Sequence, residues 1–468
     1  MRNGLFSACG LILAGLVCAS NAQAVDDVFI EPLQVRPVLL EITAADYEAM
    51  QPREGKFTWF GFVPDRRESA NAAAGLEVHR NNFGVDLPWS KGAVTLAGQR
   101  FDPVGIRYKG NGTIGDSRHT AKKSIKVDLD RHGAEALFQG SPTINLHAGA
   151  ADPTKCRETL GYSLYRAAGV PAPRTALAEV RLSVPGKFDQ ELLGVYTVVE
   201  AVDKAFLQDR LGAGEGLLFK PERVRDIEDL GEDWTAYAQA YEPAREAKPD
   251  EAERLMAFAR LVAQAEDQAF AEQIESFLDV EAYLRFLAAT AFVANTDSFF
   301  VLGHNYYLYL HPTSGQFHFI PWDVDRALGN FPGVLGSNAE LMNLRLMHPY
   351  AGKHRLTERL LAIPRVGERY QALLRDLTAT VFEKARLVKE LAAIEGAVGD
   401  LRGREQQASE SRKEGKGQVF GGGAEAKLDT FLEGRADSAA AQVAGTSKGF
   451  VPTRGFPFPL LPPPPERK

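Results

Sequence analysis

The chain has 468 residues, 45% of them hydrophobic and 25% charged, with a formal net charge of −7. That composition is ordinary for a globular protein, and the length permits two or more domains or one large α+β unit with insertions. The acidic balance supplies no basic field for a polyanion, which excludes a nucleic-acid-binding role.

The first residues read as an export leader, with Arg2 as its positive start, Leu11 to Val17 as its apolar stretch and Ala22-Gln-Ala24 as a small-residue cleavage site near Ala24. The apolar stretch is shorter than the ~20 residues a membrane span requires. Val17 before Cys18 makes a poor lipobox. The expectation is a secreted or periplasmic protein with no membrane span once residues 1–24 are removed. Cys9 and Cys18 leave with that leader, so Cys156 stands alone and is read as a core residue, with no internal disulfide.

Residues 25–100 alternate turn signals with short apolar runs such as Val38 to Ile42, and an acidic helix start follows at Thr43 to Asp46. This predicts a β-rich entry region. Two strands then flank a glycine-rich loop: Val104 to Tyr108, the loop Lys109 to Gly115, and Lys122 to Leu129. Asp152 and Pro153 are expected to cap and open a helix that Gly169 and Pro171 end. Strands are predicted at Glu179 to Val184 and Leu192 to Glu200, followed by a helix from Asp203 to Leu211.

From Asp250 the pattern becomes helical, over residues 250–273 and 279–294, and again from Lys353 to Ile394. A hairpin from Asn305 to Trp322 interrupts it. Arg404 to Ala426 is polar and glycine-rich and predicts an exposed loop, with a helix resuming from Leu428 to Val443. Residues 446–468 are proline-rich, which predicts a disordered, extended tail.

The residues that carry chemistry cluster between Ala294 and Gly329. Asp297 follows an apolar helical run and Asp323 an apolar strand, so both acids are expected to project from rigid elements. Phosphoryl transfer asks the protein for one carboxylate to orient or deprotonate the acceptor, and for oxygen ligands to magnesium. Asp297 suits the first task. Asn305 and Asp323 suit the second, and Asp325, expected on the same strand face as Asp323, offers a further ligand. Ile125, Val127 and Leu129 share one face of their strand, which puts Lys122, Ser124 and Lys126 on the other. Glycines at 110, 112 and 115 let backbone amides approach an anion, so Lys109, Lys122 and Lys126 are all candidates to meet phosphates. Glu158 is a candidate lysine partner and Glu200 a candidate hinge contact. His304 has no second histidine at metal spacing and is expected to be packed or hydrogen-bonded.

Taken together, Val104 to Gly112, Lys122 to Ser124, Asp152 to Glu158, Gly194 to Glu200, Phe219-Lys220, Asn295 to Asp297, Asn305 to Tyr309, Trp322 to Asp325 and Phe431 to Arg435 resemble the spore-coat-protein-H (CotH) kinase family. The resemblance implies an atypical protein-kinase-like, two-lobed α+β fold over residues 101–445, with a β-rich N-lobe at about 101–225 and a mostly helical C-lobe at about 250–445. It implies ATP and Mg2+ as cofactors and phosphorylation of serine or threonine in secreted or envelope proteins. By position Asp297 resembles the catalytic aspartate, Asp323 the metal-binding one, Lys122 the phosphate lysine and Glu200 the residue near the adenine hinge. The usual kinase catalytic-loop triplet and Asp-Phe-Gly are absent from these positions.

Other readings share these residues. The same cleft with its nucleotide inverted would transfer AMP, and a nucleotide-binding surface or structural protein would bind without turnover. A glycosyltransferase built on Asp323-Val-Asp325 fits poorly, because the preceding lobe is not doubly wound.

Overall fold

The computed structural model describes residues 27–54, 77–415 and 427–453. The expected leader, Gly421 to Gly423 and the tail beyond residue 453 lie outside the described residues.

Strand β1 (Arg36–Ile42) leads through the Thr43 side chain, which accepts the Asp46 N–H, into α1 (Ala44–Ala49). β2 (Arg53–Glu54), β3 (Val78–Arg80) and β4 (Val85–Pro88) form a small sheet in the order β2-β4-β3. Next come β5 (Ser90–Leu96), β6 (Gln99–Tyr108), α2 (Gly112–Asp116), β7 (Ile125–Asp128), β8 (Thr143–His147), α3 (Arg157–Ala167), β9 (Thr175–Val184) and β10 (Phe188–Val199). The large sheet closes on itself as β1-β5-β6-β7-β8-β10-β9, sealed by parallel pairing of β1 with β9. Alternation explains the closure: Val38, Leu40, Ile106, Ile125, Val127, Leu146 and Val180 form one buried cluster, while their sequence neighbours face outward. Residue 100 marks no boundary here, because β6 runs through it and pairs with β5.

Asp203 caps α4 (Lys204–Leu211), which ends at Gly212 with φ 78°. β11 (Leu217–Phe219), α5 (Trp234–Tyr241), α6 (Pro249–Gln264), α7 (Asp267–Phe277), α8 (Val280–Phe292), β12 (Tyr306–Leu310), β13 (Phe317–Pro321), α9 (Asn338–Met342), α10 (Arg355–Ala362), α11 (Pro364–Thr380), α12 (Lys384–Ser411) and α13 (Leu428–Val443) complete the described chain. The sheet β11-β12-β13 lies among helices over a second core, in which Phe286 and Phe319 stack with centroids 5.5 Å apart. The fold is thus mixed α and β, with strands prevailing before residue 219 and helices after it.

Two expected boundaries are corrected. The helix after Asp152 begins at Arg157, because the Asp152 carboxylate first catches the N–H of Thr154 and then that of Arg157, winding a turn before the helix. The expected loop from Arg404 is helical through Ser411. Leu387, Leu391, Ile394, Val398 and Leu401 bury one face of α12, and the polar run after them extends the same helix.

Candidate functional site

Two elements fix the acids. α8 ends at Phe292, where the buried guanidinium of Arg435 on α13 donates to the carbonyls of Ala291 at 2.8 Å and Phe292 at 2.9 Å, a cation seated on a helix C-terminus. The chain then turns through Ala294 at φ 47° into an Asx turn, with the Asp297 N–H donating to Asn295 Oδ1 at 3.1 Å. The β12–β13 hairpin supplies the rest. Asn305, at φ 56°, donates from Nδ2 to the Asp297 carbonyl at 3.0 Å, so its Oδ1 is the atom it has to offer a cation. The Trp322 N–H donates to the Asn305 carbonyl at 3.0 Å, a last rung beyond the strand pair.

Asp323 is not on a strand, as its pattern had suggested: β13 stops at Pro321, Asp323 takes φ 50°, and its N–H turns to donate to the Tyr162 hydroxyl of α3 at 2.9 Å. The shared strand face with Asp325 is therefore lost, yet the two acids remain electrostatic neighbours. The Asp325 carboxyl is pushed well above the usual range by burial, then by Asp323, then by Glu158.

Asp297 is buried, and burial alone would raise its carboxyl. It is nevertheless held below the ordinary value, because His304 Nε2 lies 2.5 Å from its Oδ1 and Arg326 Nε 3.7 Å from its Oδ2, with Asn305 adding a hydrogen bond. Burial pushes the His304 imidazole down, but Asp297 and Glu222 outweigh it and raise it to about 10. His304 is hydrogen-bonded, as expected. Arg326 went unnoticed in the sequence: beyond Asp297 it pairs with Asp116 of α2 at 2.8 Å, tying the loop after β6 to the acids.

The candidate lysines part company. Lys109 Nζ lies 2.6 Å from His147 Nε2, 3.3 Å from Asn145 Oδ1 and 5.0 Å from the Trp322 ring centroid. Burial lowers its ammonium to about 7, and Asp323 is the largest charge opposing that fall. Lys126 lies opposite Asn145 in the β7–β8 register, on the barrel's outer face, with Arg107 and Lys220 near enough to help lower it to about 8 after burial. Lys220 Nζ sits 5.9 Å from the Tyr307 ring centroid.

Lys122 lies elsewhere. β7 begins only at Ile125, so the strand alternation expected for it does not reach Lys122. Its ammonium donates to both oxygens of Glu405 at 2.8 Å, and Glu405 Oε2 also accepts the Val195 N–H at 2.8 Å. Glu405 enters where Gly194 leaves room: a Cβ there would lie 2.3 Å from its Oε2.

Glu158 does not meet a lysine directly: its Oε1 lies 2.6 Å from His147 Nδ1, which places the imidazole between Glu158 and Lys109. Glu200, the candidate hinge contact, is engaged by arginines, accepting the Arg174 N–H at 2.8 Å and the Arg210 guanidinium at 3.1 Å. Cys156 is buried, free and raised to about 12 by burial, in keeping with a core role.

His147, Glu158 and Asp323 offer donor atoms within 4.8 Å of one another. Both imidazole nitrogens already have protein partners, so the oxygens of Asp323 and the buried, unpartnered Glu158 Oε2 are the donors this group leaves for a cation, with Asn305 Oδ1 and Asp325 as the further oxygen donors the sequence offers. Hard oxygen donors and a carboxylate repulsion that Lys109 and Arg326 offset only in part fit a divalent cation such as Mg2+.

A family model described as CotH kinase protein matches residues 106–438. The chain belongs to the CotH kinase family. This CotH-family chain is 26% identical over 298 residues to inner spore coat protein H of Bacillus subtilis (strain 168), an alignment covering 62% of this chain and 75% of that one. A solved structure, the HipA, HipB and operator DNA complex of the Shewanella oneidensis MR-1 toxin–antitoxin system, aligns at 14% identity with a TM-score of 0.29. It covers 69% of the CotH-family chain, which in turn spans just under two thirds, 65%, of that structure's chain.

Proposed function

We propose that the chain is a magnesium-dependent phosphotransferase moving the γ-phosphoryl group of ATP to a serine or threonine hydroxyl of an exported protein. The observation that carries this reading is the pairing of opposite charges across one site: Asp323 and Glu158 lie together with His147 on one side, with the Asp325 carboxyl forced up by burial first and then by those two acids, and Lys109 faces Asp323 from the barrel. Family membership supports the same chemistry. In this reading the barrel and the helical remainder act as the two lobes of a kinase-like fold. Export rests on the leader-like pattern of residues 1–24.

Asn305 Oδ1, Asp323 and Asp325 would hold Mg2+, which when bound neutralises charge on the phosphate oxygens. Lys109, with Lys126 and Lys220 beside it, attracts the phosphates electrostatically. Asp297 is kept ionised by His304 and Arg326, so it is suited to orient the acceptor hydroxyl and to receive its proton as the bond to phosphorus forms. A carboxylate held that low is a weak base, which favours orientation over early proton removal.

The test is thermal unfolding with and without Mg-ATP, followed by intact mass of an acceptor protein. We expect Mg-ATP to raise the melting temperature of the wild type and not of Asp323→Ala. Transfer should add about 80 Da for phosphate rather than about 329 Da for AMP. An equal shift in the variant would overturn the cation assignment, and a gain of AMP would overturn the direction of transfer.

A further inference from the structure

We propose that His147 is a positioning residue that relays the charge of Glu158 to Lys109 and so fixes the phosphate-facing ammonium in place. This deepens the phosphotransfer reading and rests on it only for what Lys109 binds.

β8 presents Asn145 and His147 on one face, two residues apart, while Ile144 and Leu146 between and before them are buried. Both polar side chains meet Lys109. Proton placement follows from the partners. Burial and Asp323 push the Glu158 carboxyl up, and the Lys109 charge beyond His147 opposes them. With Glu158 ionised its carboxylate only accepts, so His147 Nδ1 carries the hydrogen and donates to Glu158 Oε1 across 2.6 Å. That leaves Nε2 with a lone pair, which accepts from the Lys109 ammonium, also at 2.6 Å.

The chain carboxylate, imidazole, ammonium is therefore oriented one way from end to end, and its buried members polarise one another. Trp322 closes the other side, with its ring edge-on to His147 at 5.6 Å between centroids and the Lys109 ammonium over its face. Asn145, His147 and Trp322 together hold the ammonium, and Asp323 is the largest attractive charge acting on it.

The anchor of this chain has a second duty. Glu158 lies one helical turn before Tyr162 on α3, and Tyr162 is the residue whose hydroxyl receives the Asp323 N–H. One face of one helix thus sets both the ammonium, through His147, and the backbone of the cation-binding acid. The two charges that must straddle a phosphate are registered to the same ruler.

The test reads the Lys109 amine itself, without nucleotide. Full-length protein is treated briefly with an N-hydroxysuccinimide ester and the modified fraction at Lys109 is counted by peptide mass spectrometry. His147→Phe, which keeps the ring and loses both hydrogen bonds, should raise the Lys109 labelling rate at about pH 6, where the wild-type amine is mostly protonated, about fivefold, the effect of a lost charge-assisted hydrogen bond. His147→Gln can accept from Lys109 and donate to Glu158, and should return the rate to within about twofold of wild type. Glu158→Gln, which never touches Lys109, should raise it about threefold if the charge is relayed. Unchanged labelling in His147→Phe, or an unrescued rate in His147→Gln, would overturn the relay. Should the phosphotransfer reading alone be wrong, the labelling pattern would persist in a protein that turns over no ATP. Should the relay alone be wrong, labelling would stay flat while transfer continued.

Discussion

Lys109 and Lys122 are both buried lysines of the segment joining β6 to β7, and burial lowers each to about 7, yet their surroundings differ in kind. Lys122 is saturated: both oxygens of one carboxylate, brought by α12, close on it, and Tyr196 lies beneath at 5.1 Å. Lys109 has a neutral acceptor, an amide oxygen and an indole face, with its largest attractive charge, Asp323, across the site. A lysine that is neutralised in place ties structure together, and one whose counter-charge stands off keeps affinity for an anion. Position in the sequence did not separate the two; their partners do.

That contrast breaks most visibly by removing each ammonium in turn. Lys109→Met should lower kcat/KM for ATP-driven transfer by about 100- to 1000-fold, the cost of a lost electrostatic group at a reacting phosphate, with little change in unfolding midpoint. Lys122→Met should do the reverse, holding transfer per folded molecule within about threefold while costing about 3 kcal/mol, because Glu405 is left buried beside an empty place. Denaturant unfolding with initial-rate kinetics on both variants decides between them, and exchanged outcomes would exchange the roles.

A smaller effect sharpens the structural side. Asp152 and Arg157 form a buried pair at 2.6 Å, and Asp152 sits below its ordinary value: burial pushes it up, but the Arg157 charge, Thr154 and the Arg157 N–H pull it down further. A depressed carboxyl contributes stability in full above its unfolded value of about 3.9 and loses it as pH falls through the folded value. Asp152→Asn should therefore cost about 2 kcal/mol at neutral pH. The gap to wild type should narrow in unfolding curves taken below about pH 4. A gap independent of pH would remove the ion pair from the account.

The smallest change tests the α3 side of the site. A Cβ on Gly161 would stand 3.0 Å from Val324 Cγ2, next to Asp323. Gly161→Ala gains about 1 kcal/mol of helix propensity and loses about as much to that contact. Stability should hold steady while Mg-ATP affinity, measured by titration calorimetry, weakens about threefold as the neighbouring backbone shifts.

Much of the frame was legible in the sequence. Strand alternation anticipated the pairing of β6 with β7, Asp203 announced α4, and apolar periodicity delimited α8 and α13. Asn295, Asp297, Asn305 and Asp323 stood out because they follow or open apolar elements and offer the oxygens phosphoryl transfer needs, and the fold does gather their segments. Partnerships across long separations were not legible. Glu405 is 283 residues from Lys122 and lay inside a run whose polarity suggested a loop, when it was the continuing turn of an amphipathic helix. His147 escaped because a search for metal spacing looks for a second histidine, whereas its signal was a polar residue alternating with buried Ile144 and Leu146. The strand face expected to join Asp323 with Asp325 failed because the chain bends at Asp323, φ 50°, where the Tyr162 hydroxyl of α3 holds its N–H.

The backbone at Asn305 and Asp323 turns at φ 56° and 50°, in the left-handed region. Apart from glycine, asparagine and aspartate enter that region most readily, because their short polar side chains bond locally. The proposed cation site and the chain's handedness therefore call for the same two amino acids at these corners. A glutamate in place of Asp323 would keep the charge but strain the bend, so charge alone does not make a substitute at this corner.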